Sequence, residues 1–424
     1  MLLKRKRRKM TKKRLKIAIF TDVFLEVQGG IPSSISAQRE SLEKQGHEVV
    51  VFCPGFTSPD KNVFLVPTHR WLRFGGAPLS KSPTKVMRWI RKNFPNFSDF
   101  DVVHVQYEAS CSMAGMKLAR QFNIPVVQTM HGREDVAIQT NIPHPLKTFV
   151  GVVLNFLHSR YIPHRIKVHR DRRLAPTIAT AKMWTLMVNH ANFADIVTTP
   201  SKHFALKLQS YGVSKKIVVV SNGVADEMVE AFDKKIAKAG KSLVRKMTPG
   251  EPLRLFWNSR LSNEKRIMPF LCALTLMKEP FFFSACGDGN AYKRAQRFIR
   301  KNGLESRVKL YGRVPHEQIL DKMSSQHLSV TVSYGFDTQG LTLLEAEAVG
   351  LPVFFCDPDM REIVPSGAAV IAAGPSPEEM AAALDEAARH PEKIEEMSKV
   401  MLRHRKEILQ SIQIKKLLDI YESF

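Results

Sequence analysis

The sequence predicts an α/β fold made of two Rossmann-like halves that face a cleft. Short apolar runs recur at helix-length intervals along the 424 residues, many of them rich in Val, Ile and Phe. Turns holding glycine follow several runs, and the series stops once, over residues 226–252, before beginning again. Runs that are apolar throughout, rather than at every second position, suit strands buried on both faces of a parallel sheet. In such sheets ligands bind outside the carboxyl ends of the strands.

In chain order, residues 15–22 form a strand-type run with a polar end. Gly29-Gly30-Ile31-Pro32-Ser33 then opens a helical pattern from Ile35 through Leu42, closed by Gln45-Gly46-His47. Further strands are expected at 49–52, 101–105, 125–129, 196–199 and 217–220. Residues 226–252 are charged, rich in Lys and Ala, and end in Thr248-Pro249-Gly250-Glu251-Pro252, the composition of an interdomain connection. The second series has strand runs at 253–257, 281–286, 308–311, 328–332 and 353–355, and the tail from about 378 is helical in composition. The expected divisions are a basic disordered arm (1–14), a first half (15–225), a linker (226–252), a second half (253–400) and a final segment (401–424).

Composition suits a globular chain, with 44% apolar and 25% charged residues. No run of about 18 or more apolar residues is present, so no spanning helix is expected. The N-terminus lacks an apolar core followed by a cleavage site, so a secretory signal is not expected either. Cys53, Cys111, Cys272, Cys286 and Cys356 sit among apolar neighbours without metal-ligand spacing, which suits buried thiols in a reducing cytoplasm.

Basic residues are in excess: 64 Lys and Arg against 40 Asp and Glu, a net charge of +24. Such a balance implies a polyanionic partner, nucleic acid or an anionic lipid surface. No RNP, KH, zinc-finger or helix-turn-helix signature accompanies the charge, so nucleic acid is not expected. One cluster, Lys4 to Lys9 with Lys12, Lys13, Arg14 and Lys16, is the N-terminal arm. Others mix with apolar residues: Trp89, Arg91 and Lys92 in residues 86–94, then Phe149 and Phe156 followed by Arg160, Arg165, Arg170, Arg172 and Arg173. Apolar anchors beside Lys and Arg are what a helix lying in the headgroup layer needs; plain solvated faces are the other reading. The expected place is peripheral, on the inner, cytoplasmic face of the plasma membrane. Oligomeric state has no signature here.

The most informative stretch runs from Phe336 to Val353. It holds Asp337 and Glu345 eight positions apart, Gly340 at a helix start, and Gly350-Leu351-Pro352-Val353 leading into an apolar strand. Amides of Gly340, Leu341 and Thr342 at a helix start can seat a phosphate. The two carboxylates can accept hydrogen bonds from hydroxyls. Phosphate and hydroxyls together describe a nucleotide-sugar pocket.

This stretch resembles the acidic–seven–acidic signature of family-4 retaining glycosyltransferases, enzymes of the GT-B fold, with Asp337 where the family usually has Glu. Asp337-Thr338-Gln339-Gly340-Leu341-Thr342 is similar to the Glu-Thr-Gln-Gly-Leu-Thr of bacterial diacylglycerol glucosyltransferases. The resemblance implies that Asp337 meets the donor sugar and Glu345 the ribose. Arg260 and Lys265 match the family's Arg–four–Lys element, whose cations face the donor diphosphate. Negative charge grows on the leaving phosphate, so preorganised cations there are worth several kcal/mol in enzymes generally. Gly287 opens the family's Gly-Asp-Gly turn, and Arg313 and Val314 resemble the element whose backbone lies against the nucleobase. In the first half, His131 occupies the position of a histidine beside the donor sugar. Gly29 and Gly30 lack side chains, which lets backbone approach a phosphate or sugar. Asp22 and Glu108, at strand ends, are candidates for orienting the acceptor hydroxyl. Ser221-Asn222-Gly223-Val224 resembles a family hinge, although Ser stands in place of Pro.

No Asp-x-Asp metal element stands in a suitable strand-end loop and no zinc spacing is present, so no metal or other cofactor is expected beyond the donor, UDP-glucose. The resemblance further implies front-face transfer and a last helix that crosses back onto the first half. The expected activity is hexose transfer to a lipid hydroxyl such as that of diacylglycerol. Two other readings stand beside it: the same chemistry on a polysaccharide precursor or phosphoinositide, and a polyanion-binding protein on a degenerate transferase scaffold.

Overall fold

The computed structural model describes residues 14–23, 25, 29–58, 60–74 and 77–424. Apart from Arg14, the basic arm expected at 1–14 lies outside the described residues. The first half contains β1 (Lys16–Phe20), α1 (Gly30–Lys44), β2 (Glu48–Cys53), β3 (Val63–Leu65), β4 (Thr68–Phe74), β5 (Ala77–Ser80), α2 (Pro83–Asn93), β6 (Val102–Val105), α3 (Ser110–Gln121) and β7 (Val126–Thr129). It continues with α4 (Glu134–Asn141), α5 (Leu146–Ser159), α6 (Ile178–Phe193), β8 (Ile196–Thr199), α7 (Lys202–Ser210) and β9 (Lys216–Val219). After α8 (Asp226–Lys238) come β10 (Leu253–Asn258), α9 (Ile267–Leu276), β11 (Phe281–Cys286), α10 (Tyr292–Lys301), β12 (Val308–Gly312), α11 (His316–Met323) and β13 (Leu328–Thr331). The chain ends with α12 (Leu341–Ala348), β14 (Val353–Phe355), β15 (Ala369–Ile371), α13 (Pro377–Arg389), α14 (Pro391–His404) and α15 (Gln410–Tyr421).

Two parallel sheets result, in the orders β3-β2-β1-β6-β7-β8-β9 and β12-β11-β10-β13-β14-β15. In β1, Ile17, Ala18, Ile19 and Phe20 are fully buried, as a strand covered on both faces requires. Phe20 stacks on Phe52 with ring centroids 4.7 Å apart. Helix α3 comes so close that a Cβ at Gly115 would fall 2.4 Å from the Phe20 ring. Each buried Val, Leu, Ile or Phe contributes about 1.5–3 kcal/mol, so these layers supply the main driving force. Strand order reverses between β1 and β6 in one sheet and between β10 and β13 in the other. In sheets of this kind ligands bind at the carboxyl ends beside such a reversal.

Four features differ from, or add to, what the sequence suggested. Residues 226–252 are more than a tether: α8 lies there, and its Phe232 and Ile236 pack with Ile319, Leu320 and Met323 of the second half. The segment 401–424 is divided, because α14 runs to His404 with Met401 in the second half's core, whereas α15 places Ile414, Leu417 and Leu418 against β1 and β2. Crossing occurs where Val224 N donates to Ile408 O at 2.9 Å and Gln410 N donates to Val224 O at 2.8 Å. A Cβ at Gly223 would fall 2.5 Å from Cα of Gln410, so close passage of the two segments needs that glycine. Helix α2 buries Val86, Met87 and Ile90, and both Trp89 and Phe94 pack against the same core. Lastly, β4 and β5 form a separate antiparallel hairpin.

Helix α6 is buried along almost its whole length, and it starts with a capping box in which Thr180 N donates to Thr177 Oγ1. It carries His190, the inner end of a histidine chain. His158 ring nitrogens lie 2.8 Å from His164 and 2.9 Å from His190, whose Nε2 lies 3.1 Å from Gln128 Oε1. Burial pushes His190 down to about 3 and His158 well below the ordinary histidine value. Below about pH 6.5 the unfolded chain takes up a proton at His190 that the native state refuses, so stability falls as pH drops toward 3. Replacing His190 with Gln is expected to make that decline shallower by about 1.4 kcal/mol per pH unit between about pH 6 and 4. Urea denaturation across a pH series measures it, and parallel curves for wild type and variant would contradict it.

Candidate active site

The two reversal points bring together most of the residues singled out in the sequence. Helix α12 begins at Gly340, which is left-handed (φ 75°) and has no side chain to cap the first-turn amides. The amides of Leu341 and Thr342 have no intrahelical acceptor, whereas Leu343 N donates to Gly340 O at 2.9 Å. Directly opposite is the start of α1: a Cβ at Gly30 would lie 3.4 Å from Cδ1 of Leu341. The glycine pair Gly29-Gly30 and the Gly340-Leu341-Thr342 turn thus face each other across the halves.

Near the start of α12 the charges are paired. Lys265 Nζ lies 2.5 Å from Asp337 Oδ1. Asp337 also accepts the hydroxyl of Ser333, and Lys265 stands over the Phe336 ring at 5.3 Å. One turn into α12, Glu345 accepts from Asn258 Nδ2 at 2.7 Å, so the last residue of β10 orients it. Glu347, two positions on, is buried on the opposite side, and burial, with Glu407 nearby, pushes its carboxyl up to about 8. Arg260 is largely exposed and is held 2.9 Å from Glu264, whose carboxylate also accepts from Ser262 Oγ at 2.7 Å. Glu264 Oε2 is buried and has no hydrogen-bond partner among the described residues.

Gly287 serves the loop of Arg260. Its Cβ would sit 2.0 Å from Ser259 O, its φ is +145°, and its amide donates to Gly312 O at 2.7 Å. Leu261 N in turn donates to Asp288 O at 3.0 Å. The Gly-Asp-Gly turn therefore bolts the cation-bearing loop to the end of β12. Arg313 is exposed beside it, and Val314 packs partly against the second core.

His131 lies two residues beyond the end of β7 and is buried, with Nε2 2.9 Å from Gln106 Oε1. Its carbonyl accepts from Thr338 Oγ1 at 2.6 Å, and Arg133, clamped by Asp135, donates to Gly335 O at 2.8 Å. Burial pushes His131 down to about 4, so it is neutral at physiological pH. From Gln106 a polar chain runs onward: to Gln38 at 2.9 Å, to Ser34 at 3.4 Å, to Asn222 at 2.6 Å and to Gln339 at 2.8 Å. It links the histidine to the segment around residue 222 and back to the acidic loop. Sequence reading missed Gln106, Asn258 and Ser333. Their signal was position alone, at or just beyond the carboxyl ends of β6, β10 and β13.

The two acceptor candidates lie side by side in the first half. Asp22 accepts from the amides of Cys111 at 2.7 Å and Ser112 at 3.1 Å, one per oxygen. It caps the first turn of α3. Glu108 is buried beside Glu134 and Asp22, and burial, together with their charges, holds its carboxyl well above the ordinary range.

Residues 28–227 match the family model described as Glycosyltransferase Family 4, and residues 244–401 match the model described as Glycosyl transferases group 1. Together the matches span most of the chain. It belongs to this glycosyltransferase family. The transferase is 25% identical over 353 residues to the alpha-monoglucosyldiacylglycerol synthase of Streptococcus pneumoniae (strain ATCC BAA-255 / R6), a match covering 80% of this chain and 70% of that protein. It is 23% identical over 352 residues to the protein of the same name from Acholeplasma laidlawii, covering 80% and 79%. Among solved structures it is similar to sucrose-phosphate synthase from Thermosynechococcus elongatus (TM-score 0.71, 15% identity, 97% of this chain and 99% of that one). Anabaena Alr3699/HepE in complex with UDP and glucose gives a TM-score of 0.67 at 14% identity, covering 97% and 100%. At such identities these likenesses establish the fold, two parallel-sheet domains of the GT-B type.

The residues expected to meet a membrane fall into two groups in the transferase. Trp89 belongs partly to the core, and Arg91 donates to Gln121. Along α5 the usual polarity is inverted: Gly151, Asn155 and His158 are buried, whereas Phe149 is 68% and Phe156 60% exposed. Arg160, Arg165, Arg170, Arg172 and Arg173 follow, all exposed. Among the described residues no helix is long and apolar enough to cross a membrane, and no three metal-ligating side chains gather into a site.

Replacing Gly287 with Ala is expected to cost about 1–3 kcal/mol in stability and to lower glycosyl transfer, because Ser259 and Leu261 must shift. Gly303 (φ +62°, nothing within 4 Å) is the control, since Ala there meets backbone strain alone. Denaturation midpoints and transfer rates of the two variants check this; equal losses would remove the proposed close-approach role.

Proposed function

We propose that the transferase moves a hexose, glucose from UDP-glucose, to the hydroxyl of diacylglycerol at an anionic membrane surface, with retention at the anomeric carbon. One observation supports the reading: Asp337, in the loop that leads into α12, pairs with Lys265, and Gly30 at the start of α1 lies close to Leu341 at the start of α12. A pyrophosphate seated there meets helix amides and cations, and the sugar it carries meets a carboxylate. Helix N-termini and lysine both favour such an anion.

In this reading Lys265 and Arg260 stabilise the charge that grows on the leaving phosphate, with Glu264 holding Arg260 in place. Glu345, oriented by Asn258, accepts from the ribose hydroxyls. Asp337, fixed by Ser333 and Lys265, accepts from a hydroxyl of the hexose. His131 stays neutral and offers a ring nitrogen to the sugar, its ring held by Gln106. Glu108, kept protonated by burial, faces the acceptor side. The departing phosphate oxygen takes the acceptor's proton as the new bond forms on the same face, as the family resemblance implies.

The lipid acceptor is supported by the names of the two synthases and by α5. A helix that turns Phe149 and Phe156 to solvent and Asn155 to the interior leaves its apolar surface unsatisfied in water. The headgroup layer satisfies it, and the exposed arginines that follow meet lipid phosphates.

Lys265→Ala and Glu345→Ala are each expected to lower transfer of labelled glucose from UDP-glucose to diacylglycerol in vesicles by about a hundredfold or more, leaving vesicle binding intact. Unchanged turnover in both would remove the site, and label entering a phosphoinositide or soluble glycan instead would remove the acceptor. Vesicle binding is also expected to weaken as salt rises, since screening shortens to about 8 Å near physiological ionic strength. Cosedimentation over a salt series measures this, and salt-independent binding would exclude the basic surface.

A further inference from the structure

The hairpin of β4 and β5 has no counterpart in the reading so far. Its two strands pair with each other and stand apart from both parallel sheets. Trp71 is 83% exposed, more than any other large apolar side chain among the described residues, and its neighbour Leu72 is 54% exposed. Successive residues of a strand point to opposite faces, so exposure at both means that this strand has neither face packed on the core. Leu79 on β5 and Phe56 just before the hairpin are exposed as well.

The polar residues here are of one sign. From Pro67 to Ser82 the sequence carries His69, Arg70, Arg73 and Lys81 and no Asp or Glu. Arg70 lies over the Trp71 ring at 5.2 Å and Arg73 over the Phe56 ring at 5.0 Å. Each exposed aromatic thus comes with a guanidinium against its face. An indole with apolar neighbours and flanking cations suits the boundary between acyl chains and anionic headgroups, where tryptophan is enriched and arginine pairs with phosphate. A protein partner bearing only an apolar groove would leave the two guanidinium groups unpaired.

We propose that this hairpin is a second membrane contact, separate from α5, in which Trp71 and Leu72 enter the headgroup layer of an anionic bilayer and Arg70 and Arg73 pair with its phosphates. The inference rests on the membrane reading of the transferase for its bilayer, and adds to it a wedge on a different element. Two contacts on one rigid domain fix its orientation on the surface as well as its affinity.

The test uses the full chain with vesicles of phosphatidylcholine, with and without phosphatidylglycerol. R70E/R73E is expected to weaken binding to the anionic vesicles by about tenfold or more. Brominated acyl chains are expected to quench part of the tryptophan fluorescence of the wild type. Trp71→Phe should bind nearly as the wild type does and lose that quenching, because Trp184 and Trp257 are buried and Trp89 is half-buried. Far-UV circular dichroism confirms that both variants fold. If the wild type binds while R70E/R73E binds equally well, or while quenching persists in Trp71→Phe, the hairpin lies off the bilayer and this inference alone fails. A wild type that binds neither vesicle overturns the membrane reading itself.

Discussion

The carboxyl ends of the two parallel sheets are held against one another, and the place of every site group follows from that. Thr338 to the His131 carbonyl, Arg133 to the Gly335 carbonyl and Gln339 to Asn222 are bonds between halves that otherwise carry separate cores. Each of these side chains is buried, so losing a bond leaves a polar group without water, at about 1–3 kcal/mol apiece. The relative position of the halves is therefore strongly specified. The close approach of Gly30 to Leu341 at the start of α12 depends on these links.

The same logic explains the density of buried amides and hydroxyls near the cleft. Gln38, Gln106, Ser34 and Asn222 form one connected chain, and His104 joins its far end to Tyr421 of α15 through a 2.6 Å contact. Polar networks of this kind are costly when half satisfied and rigid when complete. Here they tie the crossing helix, the segment around residue 222 and the buried histidine into one unit, so the C-terminal tail takes part in shaping a site to which it contributes no reacting group. Helix α5 shows the opposite economy. Its small and polar residues are spent on packing against α6, where Gly151 allows a close approach to Ala179, and its apolar residues are left outside.

Much of the fold was legible because parallel strands covered on both faces must be apolar along their length. The runs at β1, β2, β10, β11 and β14 could hardly be anything else. The edge strands β3 and β15 and the β4–β5 hairpin escaped notice, since short, partly exposed or mixed segments carry no such periodicity. Residues 226–252 read as a linker because charge dominates their composition. The three apolar residues that seat α8, Val229, Phe232 and Ile236, are at helical spacing but sparse.

By itself the sequence determined which residue types were present at the strand ends: the acids eight apart, the cations five apart, the glycines before two helices. These are local facts, set by spacing along one chain. Partnership was decided only by the tertiary structure. It assigned Asp337 to Lys265, turned Glu345 toward Asn258 and Glu347 inward, made Asp22 a helix cap, and packed half-buried Trp89 against the core while leaving Phe149 and Trp71 outside. The reason is physical. Hydrogen bonds and burial depend on what lies across space, and residues more than a hundred positions apart, such as His131 and Thr338, meet only when two sheets are docked.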